Sequence, residues 1–132
     1  MLERGPCGEK VGHYTEVEEE KVPENMGSYT TVRWVISEKD GAPTYAMRVF
    51  RIGVGGHINP HSHPWEHEIF VLKGQGTVRI GERHYEVGEG FFLYIPPNVV
   101  HEYWNTGITP WEIICTIPNR PSVDRKEPIE RC

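Results

Sequence analysis

From residue 30 onward this chain is a succession of short apolar runs, and that pattern excludes most folds. TTVRWVIS, TYAMRVFRIG, HEIFVLKG, GTVRIG, RHYEVG, GFFLYIPP, HEYWN and WEIICTIP follow one another, all but the first ended by Gly, Pro or Asn. Val, Ile, Tyr, Phe, Trp and Thr dominate them, residues that pack well on a pleated, half-buried surface. No window of about 11 residues or more carries a helical period. Many short strands with regular turn signals define an all-β sandwich or barrel. A length of 132 residues suits one such domain, large enough to bury a core without disulfide staples. The reading divides the chain into a polar N-terminal arm (1–28), a barrel (29–118) and a C-terminal tail (119–132) of surface coil.

Two runs are apolar on both faces: Ile69, Phe70, Val71 and Leu72, and Phe91 through Ile95. A strand exposed on one side would alternate instead. The inner set can fill the barrel, but the outer set needs a cover, and a homodimer is the expected one. The formal net charge of −5 argues against a nucleic-acid partner, which a basic stripe would mark. No stretch approaches the roughly 18 apolar residues of a membrane span. Met1–Lys10 is polar and does not read as a signal peptide. Together these imply a cytoplasmic protein with no membrane partner. Three cysteines, Cys7, Cys115 and Cys132, make no disulfide framework. Three free thiols are expected, with a Cys7–Cys132 bridge as the lesser reading.

The chemistry lies in four histidines. His61, His63 and His67 fall within PHSHPWEHEIFVLKG, and His101 within GFFLYIPPNVVHEYWN. The even spacing of the first three places their side chains on one face of extended chain. Neutral imidazole is the commonest protein metal ligand, and clustered imidazoles without a cation are hard to satisfy. The four are therefore expected to bind one metal ion. Strand parity turns His67 inward and Glu68 outward. Glu66 and Glu68 read as solvated strand residues, and His57 as a loop residue near the mouth of the site.

These segments resemble the two motifs of the cupin superfamily, the double-stranded β-helix or jelly-roll barrel. The first motif, G-x5-H-x-H-x3,4-E-x6-G, is met by Gly55, His61, His63 and Gly74. The second, G-x5-P-x-G-x2-H-x3-N, is met by Gly90, Pro96, His101 and Asn105, with Asn98 in place of the inner glycine. Asn tolerates positive φ better than most residues. The resemblance covers roughly residues 30–118. It departs at position 67, where the family's glutamate ligand is His67. That four-histidine pattern is similar to a subgroup of single-domain bacterial and archaeal cupins, including a manganese-binding one from Thermotoga.

The resemblance implies a divalent transition metal, manganese first, with iron, nickel, copper or zinc as alternatives. Four neutral ligands leave the ion its full double-positive charge, which favours anionic ligands and lowers the pKa of bound water. Four ligands saturate tetrahedral zinc but leave two positions on an octahedral ion, so coordination separates a structural site from a catalytic one. The leading expectation is a metal-dependent enzyme that oxidises a small molecule with dioxygen or peroxide. An isomerase or lyase acting on a chelating keto or hydroxy compound, and a non-catalytic binding module, are the alternatives. Met47, Ile58, Tyr103, Ile113 and Cys115 are expected on the wall of a small-molecule pocket.

Overall fold

A computed structural model describes residues 1–119. The arm holds three two-residue strands, β1 (Glu3–Arg4), β2 (Lys10–Val11) and β3 (Glu20–Lys21). After it come β4 (Gly27–Ile36), β5 (Tyr45–His61), β6 (His67–Lys73), β7 (Gln75–Ile80) and β8 (Arg83–Gly88). The barrel closes with β9 (Phe92–Ile95), β10 (His101–Trp104) and β11 (Trp111–Pro118). Two short 3-10 turns, Tyr14–Glu16 and Glu38–Asp40, are the only helical pieces among the described residues.

The main sheet runs β8-β7-β10-β5-β11-β6-β9, all antiparallel, with β4 on the other edge of β5 and β3 beyond it. Strand β5 joins the two halves. Its first half, Tyr45 to Ile52, pairs β11, and its end, His57 to His61, pairs β10. The sequence pattern ends this run at Gly53, with Gly55 and Gly56 as further punctuation. They bend one 17-residue strand instead. Gly55 sits at φ 76, in the left-handed region that a side chain disfavours, and the register against β4 shifts opposite it. Such a bend lets a single strand serve both sheets of a jelly roll.

Ile52, Val71, Val78, Ile95 and Trp111 are fully buried between the sheets and form the centre of the core. Gly74 ends the β6–β7 turn at φ 78, and a Cβ there would stand 2.4 Å from the Pro110 carbonyl oxygen. Asn98 adopts φ 67, as its place in the second motif requires. Asn105 ties down the barrel wall: its amide donates to the carbonyls of Ile52 and Thr109, and its oxygen accepts from the Gly107 N–H.

The arm is bound to the barrel. Lys10 donates to the Val35 carbonyl and pairs with Asp40, Tyr14 donates to Glu112, and Arg33 reaches back to the Val17 carbonyl. It leaves the β6–β9 outer face open, with Phe70 46%, Tyr94 57% and Phe92 82% exposed. Beyond Asn119 the tail lies outside the described residues, and with it any pairing of Cys7 with Cys132.

Candidate metal centre

The four histidines come from three strands and one connection that meet at one end of the barrel. His61 closes β5, His67 opens β6, His101 opens β10, and His63 lies in the β5–β6 connection. Cross-strand pairing sets His61 opposite His101 and His67 opposite Ile95. One ring nitrogen from each of the four lies within 4.8 Å of the others. His67 and His101 are buried, at 5% and 1% exposure.

The outer nitrogens explain why the inner ones converge. Nδ1 of His61 lies 2.9 Å from the Asn59 carbonyl, Nδ1 of His63 2.8 Å from that of Trp65, and Nδ1 of His101 2.8 Å from that of Val99. A carbonyl only accepts, so each of these Nδ1 atoms carries the proton. In a neutral ring each Nε2 then presents a bare lone pair. Nδ1 of His67 is held differently, 3.0 Å from the Cys115 sulfur. Trp65 fixes His63 further by stacking on it, at 4.5 Å between centroids and 7° between planes.

This donor set fits a metal ion. Nε2 of His63 stands 2.7 Å from Nε2 of His67, and Nε2 of His101 is buried without a protein partner. Lone pairs that close repel, and an orphaned buried nitrogen costs free energy, unless a cation stands between them. A ligating histidine characteristically gives its other ring N–H to an outer acceptor; here three do so to carbonyls, and the Cys115 sulfur faces the fourth. Burial also keeps the rings unprotonated and ready to ligate. It lowers His67 to about 2, helped by the charge of Arg48, and lowers His101 to about 4 against the opposing pull of the Val99 carbonyl. His63 is lowered as well, again chiefly by burial.

Beside the histidines opens a cavity of about 180 Å³. His61, His63 and His67 line it, together with Phe50, Ile58, Tyr103, Ile113 and Ile117. His101 stands behind them, outside the lining. Of the pocket residues expected from sequence, Ile58, Tyr103, Ile113 and Cys115 face the cavity. Met47 does not: it lies on the outer face of β5 and is 37% exposed. Phe50 and Ile52 point inward, so the residue in register with them is Arg48, and a one-residue offset sends Met47 out.

Arg48 is the charged site residue that the sequence reading missed, along with the apolar Met26, Phe50 and Ile117. Its guanidinium lies over Phe50 and Trp34, at 4.7 and 5.3 Å from the ring centroids, and its Nη2 donates to the Cys115 sulfur at 3.1 Å. Its even spacing from Phe50 and Ile52, both of which point inward, is the signal that could have found it. His57 is also corrected. It is a strand residue outside the cavity, stacked on Trp104 and 2.6 Å from Glu102, which Arg79 holds on the outer face. Glu68 is exposed on the outer face, as parity predicted.

Residues 48–117 match the family model described as a cupin domain. The chain is similar to polyketide cyclase RemF from Streptomyces resistomycificus, at 32% identity and a TM-score of 0.80, covering 90% of this chain and 86% of that one. A predicted oxalate decarboxylase from Thermotoga maritima shares the fold at 22% identity and a TM-score of 0.73, covering 83% of this chain and 99% of that one. Mannose-1-phosphate guanylyltransferase RfbM of Salmonella typhimurium is 36% identical over 77 residues, 57% of this chain but only 16% of that protein.

Proposed function

This chain belongs to the cupin family, and from that premise we propose a metal-dependent enzyme that activates a small carbonyl or hydroxy compound at the four-histidine centre. The observation that carries this reading is the orientation of the ligands: each outer nitrogen is occupied, so four inner nitrogens meet beside an apolar cavity. A divalent transition metal held by His61, His63, His67 and His101, manganese foremost, supplies Lewis acidity toward a chelating oxygen. The protein supplies the rest. Phe50, Ile58, Ile113 and Ile117 seat an apolar body and exclude water. Tyr103, its phenol raised well above the ordinary value by burial, stays protonated at neutral pH and can donate to a substrate oxygen.

The described lining holds no carboxylate and no acid–base pair independent of the ligands. That absence favours chemistry at the metal over proton shuttling by side chains. Ring closure, isomerisation or bond cleavage of a chelating keto compound fits such a site, and the likeness to a polyketide cyclase supports that class over oxidation. The homodimer and the cytoplasmic setting expected from sequence belong to the same proposal, with Phe70, Phe92 and Tyr94 as the dimer face.

Turnover of a panel of small diketones and hydroxy ketones by manganese-loaded protein, with and without dioxygen, tests the class. Equal turnover under both conditions is the expected result. Strict dependence on dioxygen would instead establish the oxidative reaction. Metal uptake without turnover in either arm would mark a binding module.

A further inference from the structure

Arg48 carries the one permanent charge among the described residues of the cavity wall. The described lining contains no Asp or Glu, and the four histidines offer neutral donors. No ion pair to Arg48 occurs among the described residues, and its Nε is buried without a hydrogen-bond partner. One of its five N–H donors is spent on the Cys115 sulfur, and its faces rest on Phe50 and Trp34. An enclosed cation with unspent donors and no counter-charge is costly unless an anion joins it. The aromatic contacts and the sulfur fix where the guanidinium sits, so it is held in place before any ligand arrives.

We propose that Arg48 is a substrate-binding residue, and that the molecule it takes is a small monocarboxylate with an apolar body. The assignment rests on the metal-dependent reading only for where the reacting end sits. Arg48 holds the carboxylate through charge-assisted hydrogen bonds, to which its planar guanidinium is suited, and the small apolar cavity favours a singly charged group on an apolar body. Ile58, Ile113 and Ile117 flank the apolar body, and a second oxygen function reaches the histidine centre. The cavity, at about 180 Å³, is smaller than the roughly 300–1,000 Å³ of sites for drug-sized ligands, which limits the body to about one ring.

Calorimetric binding of acetate, benzoate and phenylacetate, each against its neutral amide, to metal-free protein separates Arg48 from the metal. Wild-type protein should prefer at least one carboxylate over its amide by about tenfold or more. Arg48→Met should abolish the preference, and Arg48→Lys should keep part of it, since charge survives without the fork. A wild type with no preference in any pair overturns the assignment and needs no variant to do so. So does a preference that survives in Arg48→Met. Manganese stoichiometry on the same samples keeps the two readings apart. A wild type that takes up no metal but retains the preference removes the metal centre and leaves Arg48 in its role.

Discussion

The Cys115 sulfur stands 3.0 Å from Nδ1 of His67 and orients that ring toward the other three. His61, His63 and His101 are oriented by backbone carbonyls, which no substitution removes. His67 alone takes its Nδ1 partner from a side chain, and through it depends on Arg48, whose Nη2 reaches the same sulfur. Burial raises the Cys115 thiol above its ordinary value, so it remains a neutral, weak acceptor. Outer partners of metal ligands are typically worth about 10–100-fold in metal affinity. Cys115→Ala should therefore weaken manganese binding by about that factor in a chelator competition, and Cys115→Ser should lose less. An affinity unchanged in Cys115→Ala would show that packing alone orients His67.

The ligand set itself is open to elemental analysis. His101→Ala, which removes the most buried ligand, should lose bound metal. His67→Glu should retain it, because a carboxylate at that position restores the commoner cupin donor set. Full metal content in both His61→Ala and His101→Ala would mean that the ion sits elsewhere.

Acid should destabilise the metal-free protein through the same histidines. In the folded state His67 is lowered to about 2 and His101 to about 4, while in the unfolded chain both titrate near 6.5. Between those values the unfolded chain binds more protons, so unfolding becomes easier as pH falls. Each proton withheld costs about 1.4 kcal/mol per pH unit. Denaturant midpoints should be flat above pH 7 and fall steadily from about pH 6 toward pH 4. Bound metal should raise the midpoint and steepen its fall in acid, since a ligated imidazole takes up no proton until the metal leaves. A metal-free midpoint constant from pH 7 to pH 5 would contradict the buried, neutral state of these rings.

Phe92→Glu tests the outer face of β6 and β9. Phe92 is paired with Phe70 across the strands and is 82% exposed, so the change leaves the core untouched. The thermal midpoint of the monomer should stay within the effect of about 0.5 kcal/mol ordinary for surface substitutions. Sedimentation should show a dimer in wild type and a monomer in the variant. Identical monomeric sedimentation for both proteins would leave that face without a second copy.

Much of this was legible in the sequence. Runs bounded by Gly, Pro and Asn give strands because β-branched and aromatic residues fit a pleated sheet, and period-two alternation put His67 inward and Glu68 outward. The two glycine-and-histidine motifs also placed Asn98 where positive φ is needed. Two readings failed for a shared reason. Met47 was placed on the pocket wall, one residue out of register, and His57 was assigned to a loop beside Gly56, because neither was read against the whole strand. Register is a property of the whole strand: Phe50 and Ile52 decide which way Arg48 points, and the Gly55 bend keeps His57 in a strand that continues to His61.

The sequence by itself determined the strand pattern, the barrel and which four imidazoles could hold a metal ion, since these depend on side-chain type and short-range spacing. Only the tertiary structure decided how the ligands are aimed and what shares their cavity. The Cys115–His67 contact spans 48 residues of chain, and the Arg48–Cys115 contact 67. Such contacts arise where β5, β6 and β11 pair side by side, and no local propensity records which strands become neighbours.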